Sequence, residues 1–229
     1  MLVLGFPAGP LQANCYLLAA GEGADCVIID PGQEAVAAVE EQVRDNGLNP
    51  VAVLLTHGHF DHVFSAGDVC GAYDVPAWIH PADRYMLTDP AASMGPQGAE
   101  LFAAFPPLNA PAEVRELADG ETLELAGLNL SVTHSPGHTG GSVLFGVGTG
   151  EGGRLLLAGD TLFAGAIGRT DLPGGDHQTM LQTLRTRVLP LEDDTVVLPG
   201  HGPTTTIGRE RASNPFLQDL VPASGEAGR

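Results

Sequence analysis

The chain has 229 residues, and 43% of them are hydrophobic, which is enough apolar material for the core of one large domain. The 10 lysine and arginine residues stand against 28 aspartate and glutamate residues, and this net charge of −18 argues against a nucleic-acid-binding protein, which needs a basic surface. The lack of a long apolar run, of signal-peptide features and of a C-x-x-C pair predicts a cytoplasmic protein without membrane spans or a disulfide framework.

The first half of the chain predicts strands that alternate with helices. Short apolar runs between turns that contain glycine and proline are typical of strands. The predicted strands of this half cover residues 2–6, 13–19, 25–30, 51–56 and 77–79. Valines spaced along one helical face predict a helix over 33–46 that ends at Gly47, and a second helix is predicted over 61–72.

Residues 88–111 have no clear period and contain five prolines, so a long loop with a short helix around 98–104 is predicted there. Long loops in globular domains are often functional lids, and we expect this one to shape a substrate pocket.

The second half repeats the pattern of the first. Its predicted strands cover residues 121–125, 128–134, 142–147, 154–159 and 195–198. A helix over 176–188 is predicted to begin at the cap Asp176 and to bury Met180, Leu184 and Val188, and a short helix is predicted over 207–213.

Groups of strands with intervening helices therefore occur twice, which indicates an α/β fold with two packed sheets and helices outside. No linker separates the halves, so we expect a single domain over 1–229, with a core over about 1–216 and a tail over 217–229.

The motif THGHFDH, residues 56–62, concentrates three histidines and an aspartate in one loop. In an extended loop His57 and His59 project to the same side, so both can reach one metal ion. Asp61 and His62 follow where the chain turns into a helix, so they point towards a second ion.

Further ligands are expected from distant segments. His138 lies in SPGHTGG, Asp160 ends the strand LLLAGD, and His201 lies in LPGHGP. Each lies at or just after the end of an apolar strand, in a loop that contains glycine, where rigid strands hold ligands in place. Asp160 is the best candidate for a bridge, because a carboxylate offers one oxygen to each ion.

Imidazole and carboxylate ligands without a thiolate suit zinc, iron or manganese. We expect two divalent ions, with zinc favoured. Such a pair favours hydrolysis, since it lowers the pKa of a bridging water and polarises a carbonyl group. Asp61 and Asp160 are the predicted catalytic carboxylates. The other three histidines, at positions 80, 134 and 177, are interpreted as structural or exposed.

The motifs THGHFDH, SPGHTGGS, AGDTLF and LPGHGP, in this order, resemble the metallo-β-lactamase superfamily, and within it the glyoxalase II-like hydrolase branch. The resemblance covers about residues 10–215 and implies an αβ/βα sandwich of two mixed β-sheets flanked by helices. It implies one metal at His57, His59 and His138, a second at Asp61, His62 and His201, and a bridge by Asp160 and hydroxide.

Two other segments resemble a short-chain subgroup of this branch, IGRTDLPGGD (167–176) and ERASNPF (210–216). The resemblance places Arg169, Thr170 and Asp171 close behind the site, with Arg169 and Thr170 as candidate substrate contacts. Longer glyoxalase II proteins grip glutathione with basic and aromatic residues of a C-terminal helical region, whereas only 28 residues follow His201 here, with no lysine. We therefore expect a small thioester or thiol-derived substrate. The expected reaction is the thioester hydrolysis that hydroxyacylglutathione hydrolases catalyse.

Two alternatives stay open. Persulfide dioxygenases resemble this branch, contain a GRTD segment like residues 168–171, and hold one iron at positions that correspond to His57, His138 and Asp160. The other alternative is a non-catalytic scaffold that binds metal. Metal analysis distinguishes the hydrolase, with two metal ions, from the dioxygenase, with one iron. The oligomeric state is not predicted.

Overall fold

The backbone, described for residues 1–98, 100, 107–150 and 152–220 of a computed structural model, folds into two six-stranded sheets with helices on their outer faces. Each sheet contains both parallel and antiparallel neighbours. This is the predicted sandwich of two mixed sheets, and the α/β fold class is confirmed.

The first sheet is formed by the first half of the chain, with its strands in sequence order. Its strands are β1 (Leu2–Ala8), β2 (Ala13–Ala19), β3 (Asp25–Ile29), β4 (Asn49–Leu54), β5 (Ala77–Ile79) and β6 (Val114–Glu116). Strands β1 to β3 are antiparallel, and β3 to β6 are parallel. Three helices accompany this sheet, α1 (Val36–Asp45), α2 (Phe60–Val63) and α3 (Ala66–Tyr73).

The second sheet has the reverse order, β12-β11-β10-β9-β8-β7. Its strands are β7 (Thr122–Leu125), β8 (Leu128–His134), β9 (Val143–Gly148), β10 (Arg154–Gly159), β11 (Val196–Pro199) and β12 (Thr205–Thr206). Its helices are α4 (His177–Thr183), which continues as a π-helical turn over Leu184–Val188, α5 (Ile207–Ser213) and α6 (Pro215–Gln218). Only β10 and β11 are parallel; the other neighbours are antiparallel.

Apolar side chains fill three layers. The middle layer lies between the sheets, where Leu18 and Ile29 of the first sheet belong to the same cluster as Leu130 and Phe145 of the second. The outer layers lie between each sheet and its helices. The predicted buried face of α4 is confirmed, since Met180, Leu184 and Val188 are fully buried, and Asp176 caps the helix by accepting a hydrogen bond from the Thr179 N–H (2.7 Å).

Several predicted boundaries were wrong. The helix over 61–72 is two helices, α2 and α3, because the chain bends at Ser65, whose N–H donates to the Pro31 carbonyl (3.0 Å). Strand β4 begins and ends two residues earlier than the predicted 51–56. The short elements β6, β12 and α6 were not predicted, because two to four residues carry too little pattern.

The prediction of an irregular loop at 88–111 was wrong for its first part. Residues Pro81–Leu87 and Pro90–Gln97 form 3₁₀-helical turns, and Asp89 caps the second turn by accepting from the Ala92 N–H. Prolines suit the first turn of a helix, where no N–H is needed, so Pro81 and Pro90 start these segments instead of preventing them. Most of the short helix predicted around 98–104 lies outside the described residues.

The core also extends beyond residue 216, its predicted end. Leu217 is fully buried and Leu220 is 8% exposed, and both pack in the outer layer of the second sheet. Residues 221–229 lie outside the described part of the chain, so the single domain over 1–229 stays a prediction. Within the described ranges, no helix combines the length and apolar character that crossing a membrane requires.

Candidate metal centre

The candidate site lies at one edge of the sandwich, where strands of both sheets end in loops. The THGHFDH motif follows β4, His138 follows β8, Asp160 follows β10 and His201 follows β11. The sheets are joined here by a hydrogen bond from the Val143 N–H to the Thr56 carbonyl (2.8 Å). Loops at the carboxyl ends of strands are common positions for ligand sites, and this edge brings together residues that are far apart in sequence.

The first triad consists of His57, His59 and His138. One ring nitrogen of each lies within 4.8 Å of the others. Nδ1 of His59 and Nε2 of His138 are 2.8 Å apart, and their rings are perpendicular. Two neutral imidazole nitrogens at this distance need a shared proton or a shared cation between them.

The second triad consists of Asp61, His62 and His201, whose ligand atoms also lie within 4.8 Å of one another. Nε2 of His201 is 3.2 Å from Oδ2 of Asp61 and 3.2 Å from Nε2 of His62. The structure thus places His57 and His59 in one triad and Asp61 and His62 in a neighbouring one.

Asp160 lies between the two triads. Its Oδ1 is 3.3 Å from Nε2 of His62, while its Oδ2 is 3.5 Å from Nε2 of His138 and 3.6 Å from Nε2 of His201. The carboxylate thus faces members of both triads: Oδ1 lies near the second triad, and Oδ2 lies near a member of each.

Asp30 was not identified from the sequence, although it contacts the same site. Its Oδ2 lies 3.0 Å from Nδ1 of His62 and accepts from the Thr56 hydroxyl (2.5 Å), and its Oδ1 accepts from the Thr56 N–H (2.7 Å). Its oxygens are therefore occupied by hydrogen bonds, and the residue orients His62. Asp30 follows β3 in IIDPG, so its position directly after a buried strand was the available signal.

Asp83 was also missed, and it ties two motif loops together. It is completely buried. It accepts hydrogen bonds from the Gly58 N–H (2.9 Å), the Gly141 N–H (2.8 Å) and the Thr139 hydroxyl (2.6 Å). The approach is close, because a Cβ at Gly58 would lie only 2.9 Å from the Asp83 carbonyl oxygen. Nothing in the surrounding sequence distinguishes this aspartate.

Hydrogen bonds to the second ring nitrogen set the orientation of three histidines. Nδ1 of His62 donates to Asp30, Nδ1 of His138 donates to the Arg169 carbonyl (2.7 Å), and Nδ1 of His57 faces the Thr56 hydroxyl (3.1 Å). In each case Nε2 faces the centre. This is the arrangement in which metal-binding histidines are held by a second layer of residues.

Burial and neighbouring charges adjust the protonation of the site. Burial and the nearby histidines hold the pKa of His57 well below its usual value, and burial lowers the pKa of His59 to about 3. Burial alone would raise the pKa of both Asp61 and Asp160, but His62 and the other nearby histidines together outweigh it and lower the pKa of each. For these four groups the shifts favour the neutral imidazole and the ionised carboxylate, which are the forms that bind metal.

The donor set fits metal ions. Among the described residues, nothing forms a hydrogen bond with the buried atoms His57 Nε2 and Asp160 Oδ1, both of which face the centre. Leaving such atoms unpaired costs about 1–3 kcal/mol each, and a bound cation removes this cost. Nitrogen and oxygen donors without sulfur agree with zinc, iron or manganese.

A cavity of about 290 Å³ opens beside the centre. Its floor includes members of both triads and Asp160, and Arg169 also lines it. Its walls are mainly apolar and are formed by Leu11, Phe60, Met94, Phe163 and Leu172. Thr170, the other predicted substrate contact, does not line the cavity within the described part of the chain, and its hydroxyl lies 3.4 Å from Nδ1 of His177.

The three remaining histidines lie outside the centre. His80 and His134 stack on each other with ring centroids 4.2 Å apart, and His177 is exposed at the start of α4. Nδ1 of His80 accepts from the Ala82 N–H (3.3 Å), which closes a turn as expected. His134 supports the loop of His138, since its Nε2 lies 2.9 Å from the Gly140 carbonyl.

Comparison with known families gives one match that covers most of the chain. The family model described as the metallo-beta-lactamase superfamily matches residues 8–201. An uncharacterised protein of Mycobacterium tuberculosis is 50% identical over 224 residues, which cover 96% of this chain and 99% of that protein.

Two relatives with functional names are more distant. The probable metallo-hydrolase YqgX of Bacillus subtilis is 38% identical over 211 residues, and the hydroxyacylglutathione hydrolase GloC of Haemophilus influenzae is 38% identical over 213 residues. Each alignment covers 92% of this chain and 95% of the relative.

Solved structures confirm the similarity of fold. The B3 metallo-beta-lactamase BLEG-1 superposes with a TM-score of 0.81 at 37% identity, covering 94% of this chain and 99% of that one. A second protein, solved in a di-iron-bound form, superposes with a TM-score of 0.77 at 40% identity, covering 93% of this chain and 100% of that one.

Proposed function

This chain belongs to the metallo-β-lactamase superfamily, among the metallo-hydrolases, and we propose that it is a binuclear enzyme that hydrolyses a small thioester. The observation that carries the proposal is the pair of adjacent triads with Asp160 between them. One triad would hold the first ion through His57, His59 and His138. The other would hold the second ion through Asp61, His62 and His201.

The metal pair, when bound, supplies a hydroxide nucleophile near neutral pH and polarises the attacked carbonyl group. The chain's own residues position the reactants. Asp30 and the Arg169 carbonyl orient His62 and His138, and the ionised Asp61 and Asp160 face the space between the triads. Apolar side chains around the cavity limit the access of bulk water to this space.

One named relative supports thioester hydrolysis, and one solved relative supports a centre with two metals. The Haemophilus influenzae relative is named as a hydroxyacylglutathione hydrolase, which is a thioester hydrolase. We propose zinc as the metal, because histidine and carboxylate ligands around an open position are typical of hydrolytic zinc sites. One solved relative was obtained with two irons, so iron belongs in the test.

The experiment is elemental analysis of freshly purified protein, followed by thioester hydrolysis by protein reloaded with zinc. We expect about two zinc ions per chain and turnover that depends on them. The Asp160→Ala variant should lose metal and at least a hundredfold in kcat/KM, whereas Asp171→Ala, on an exposed side chain, should keep its metal content. One iron per chain with oxygen uptake on a persulfide would instead identify a dioxygenase.

A further inference from the structure

The walls of the cavity beside the metal centre are mainly apolar. They come from five separate segments of the chain: the turn after β1, the helix α2, the 3₁₀ segment over Pro90–Gln97, the turn after Asp160 and the segment after Arg169. Each contributes a large apolar side chain, and these are Leu11, Phe60, Met94, Phe163 and Leu172. Leu11 is 51% exposed at the mouth, so it gains burial only when something occupies the cavity.

The cavity offers little positive charge away from the metal centre. Within the described part of the chain, Arg169 is the one arginine that lines it, and the sequence contains no lysine. The Arg169 guanidinium donates two hydrogen bonds to Asp171 (2.8 and 2.7 Å), so its charge is already paired. An anionic carrier such as glutathione needs unpaired cations for recognition, and these walls do not provide them.

The apolar wall at Phe163 is held in place by buried polar residues. Glu210, which is 1% exposed, accepts from the Gly165 N–H (2.7 Å), the Thr205 hydroxyl (2.6 Å) and the Asn214 amide (3.0 Å). The Asn214 amide also donates to the Ala166 carbonyl (3.1 Å). The ERASN segment thereby fixes the turn that presents Phe163, whose ring lies edge-on to His201. Because this wall is already ordered, it loses little conformational entropy when a ligand binds.

We infer that the substrate of the proposed hydrolase carries a short, uncharged apolar acyl arm, and that the cavity recognises this arm rather than an anionic thiol carrier. The inference rests on the proposed function. The reaction is a simple hydrolysis: the carbonyl carbon gains a bond to hydroxide oxygen and loses its bond to sulfur. The products are a carboxylate and a thiol, because the proton of the hydroxide passes to the departing thiolate, directly or through water, so no oxidant or reductant is required.

The test uses zinc-loaded protein and two matched series of thioesters. The acyl group is acetyl, butyryl or hexanoyl, and the thiol is either uncharged N-acetylcysteamine or anionic glutathione. We expect kcat/KM to rise about tenfold or more from acetyl to hexanoyl in the uncharged series. For a given acyl group, glutathione should give no advantage. Equal rates along the acyl series, or a glutathione preference above tenfold, would overturn the inference.

Ligand binding separates failure of this inference from failure of the proposed function. Calorimetry should detect hexanoate binding at least tenfold more tightly than acetate to the zinc-loaded protein. If hexanoate is preferred but neither thioester series is cleaved, the apolar site stands and thioester hydrolysis is refuted. If thioesters are cleaved without any preference for hexanoate over acetate, hydrolysis stands and the apolar site is refuted.

A pair of variants tests whether the acyl arm binds against Phe163. Phe163→Ala should lower kcat/KM for the hexanoyl substrate about tenfold, should leave the acetyl substrate within about twofold, and should keep both zinc ions. Phe216→Ala is the matched control, because Phe216 is an exposed phenylalanine in α6 outside the cavity lining. An equal loss for both acyl groups in Phe163→Ala would assign Phe163 to the metal centre and contradict the inference.

Discussion

Oδ2 of Asp30 lies 3.0 Å from Nδ1 of His62, and this contact turns Nε2 of the same ring towards Asp160, 3.3 Å away. Both oxygens of Asp30 already accept hydrogen bonds from Thr56, Oδ1 from its N–H and Oδ2 from its hydroxyl. Its contribution is therefore to fix the orientation and tautomer of His62, which is the usual role of a carboxylate behind a metal-binding histidine.

Replacing Asp30 with asparagine tests this contribution. Both oxygens of Asp30 accept hydrogen bonds, so an amide would direct an NH₂ group towards a donor on Thr56 or His62. We expect zinc affinity to fall about 10- to 100-fold. Competition with a chelator measures the loss, and Asp45→Asn, on the exposed end of α1, is the control. An affinity equal to that of the unmodified protein would show that the contact does not matter for binding.

Asp83 provides a second test, directed at the two loops that it joins. In Asp83→Asn, one of the donors Gly58 N–H, Gly141 N–H and Thr139 hydroxyl loses its acceptor in a fully buried position. The free energy of unfolding should fall by about 1–3 kcal/mol. Urea unfolding of the metal-free protein measures it. Asp74→Asn is the control, because asparagine tolerates the left-handed conformation of this exposed residue. A change no larger than in the control would contradict the assigned role.

Asp30 and Asp83 were not predicted from the sequence, unlike the other residues of the site. The seven site residues could be found because their types and spacing are unusual within short motifs, and the sheets could be found because most strands are apolar runs between turns. Asp83 could not be found, because its partners Gly58 and Gly141 lie 25 and 58 residues away and are backbone groups that carry no sequence signal. The short strands β6 and β12 exist only through pairing with a neighbour.

Removal of the metal should destabilise the whole edge of the sandwich. Without ions, the buried atoms Nε2 of His57 and Oδ1 of Asp160 have no hydrogen-bond partner among the described residues. Zinc at about a thousand times its Kd should stabilise the protein by about 4 kcal/mol. Thermal unfolding with and without zinc measures this as a higher Tm. A Tm that does not depend on zinc would mean that the folded state binds no ion.

Substitutions of Glu210 test whether the cavity wall can be altered without a change in the metal centre. Glu210→Ala removes the acceptor for the Gly165 N–H and frees the turn of Phe163, so the preference for hexanoyl over acetyl substrates should shrink several-fold while both zinc ions remain. Glu210→Gln should keep most of the preference. Its amide oxygen can still accept from Gly165, and its NH₂ can donate to the Thr205 hydroxyl, which can act as an acceptor. Hydrolysis of the two acyl thioesters, together with zinc content, measures both effects. Loss of zinc in Glu210→Ala would place the residue in support of the centre itself, and an unchanged acyl preference would remove it from recognition.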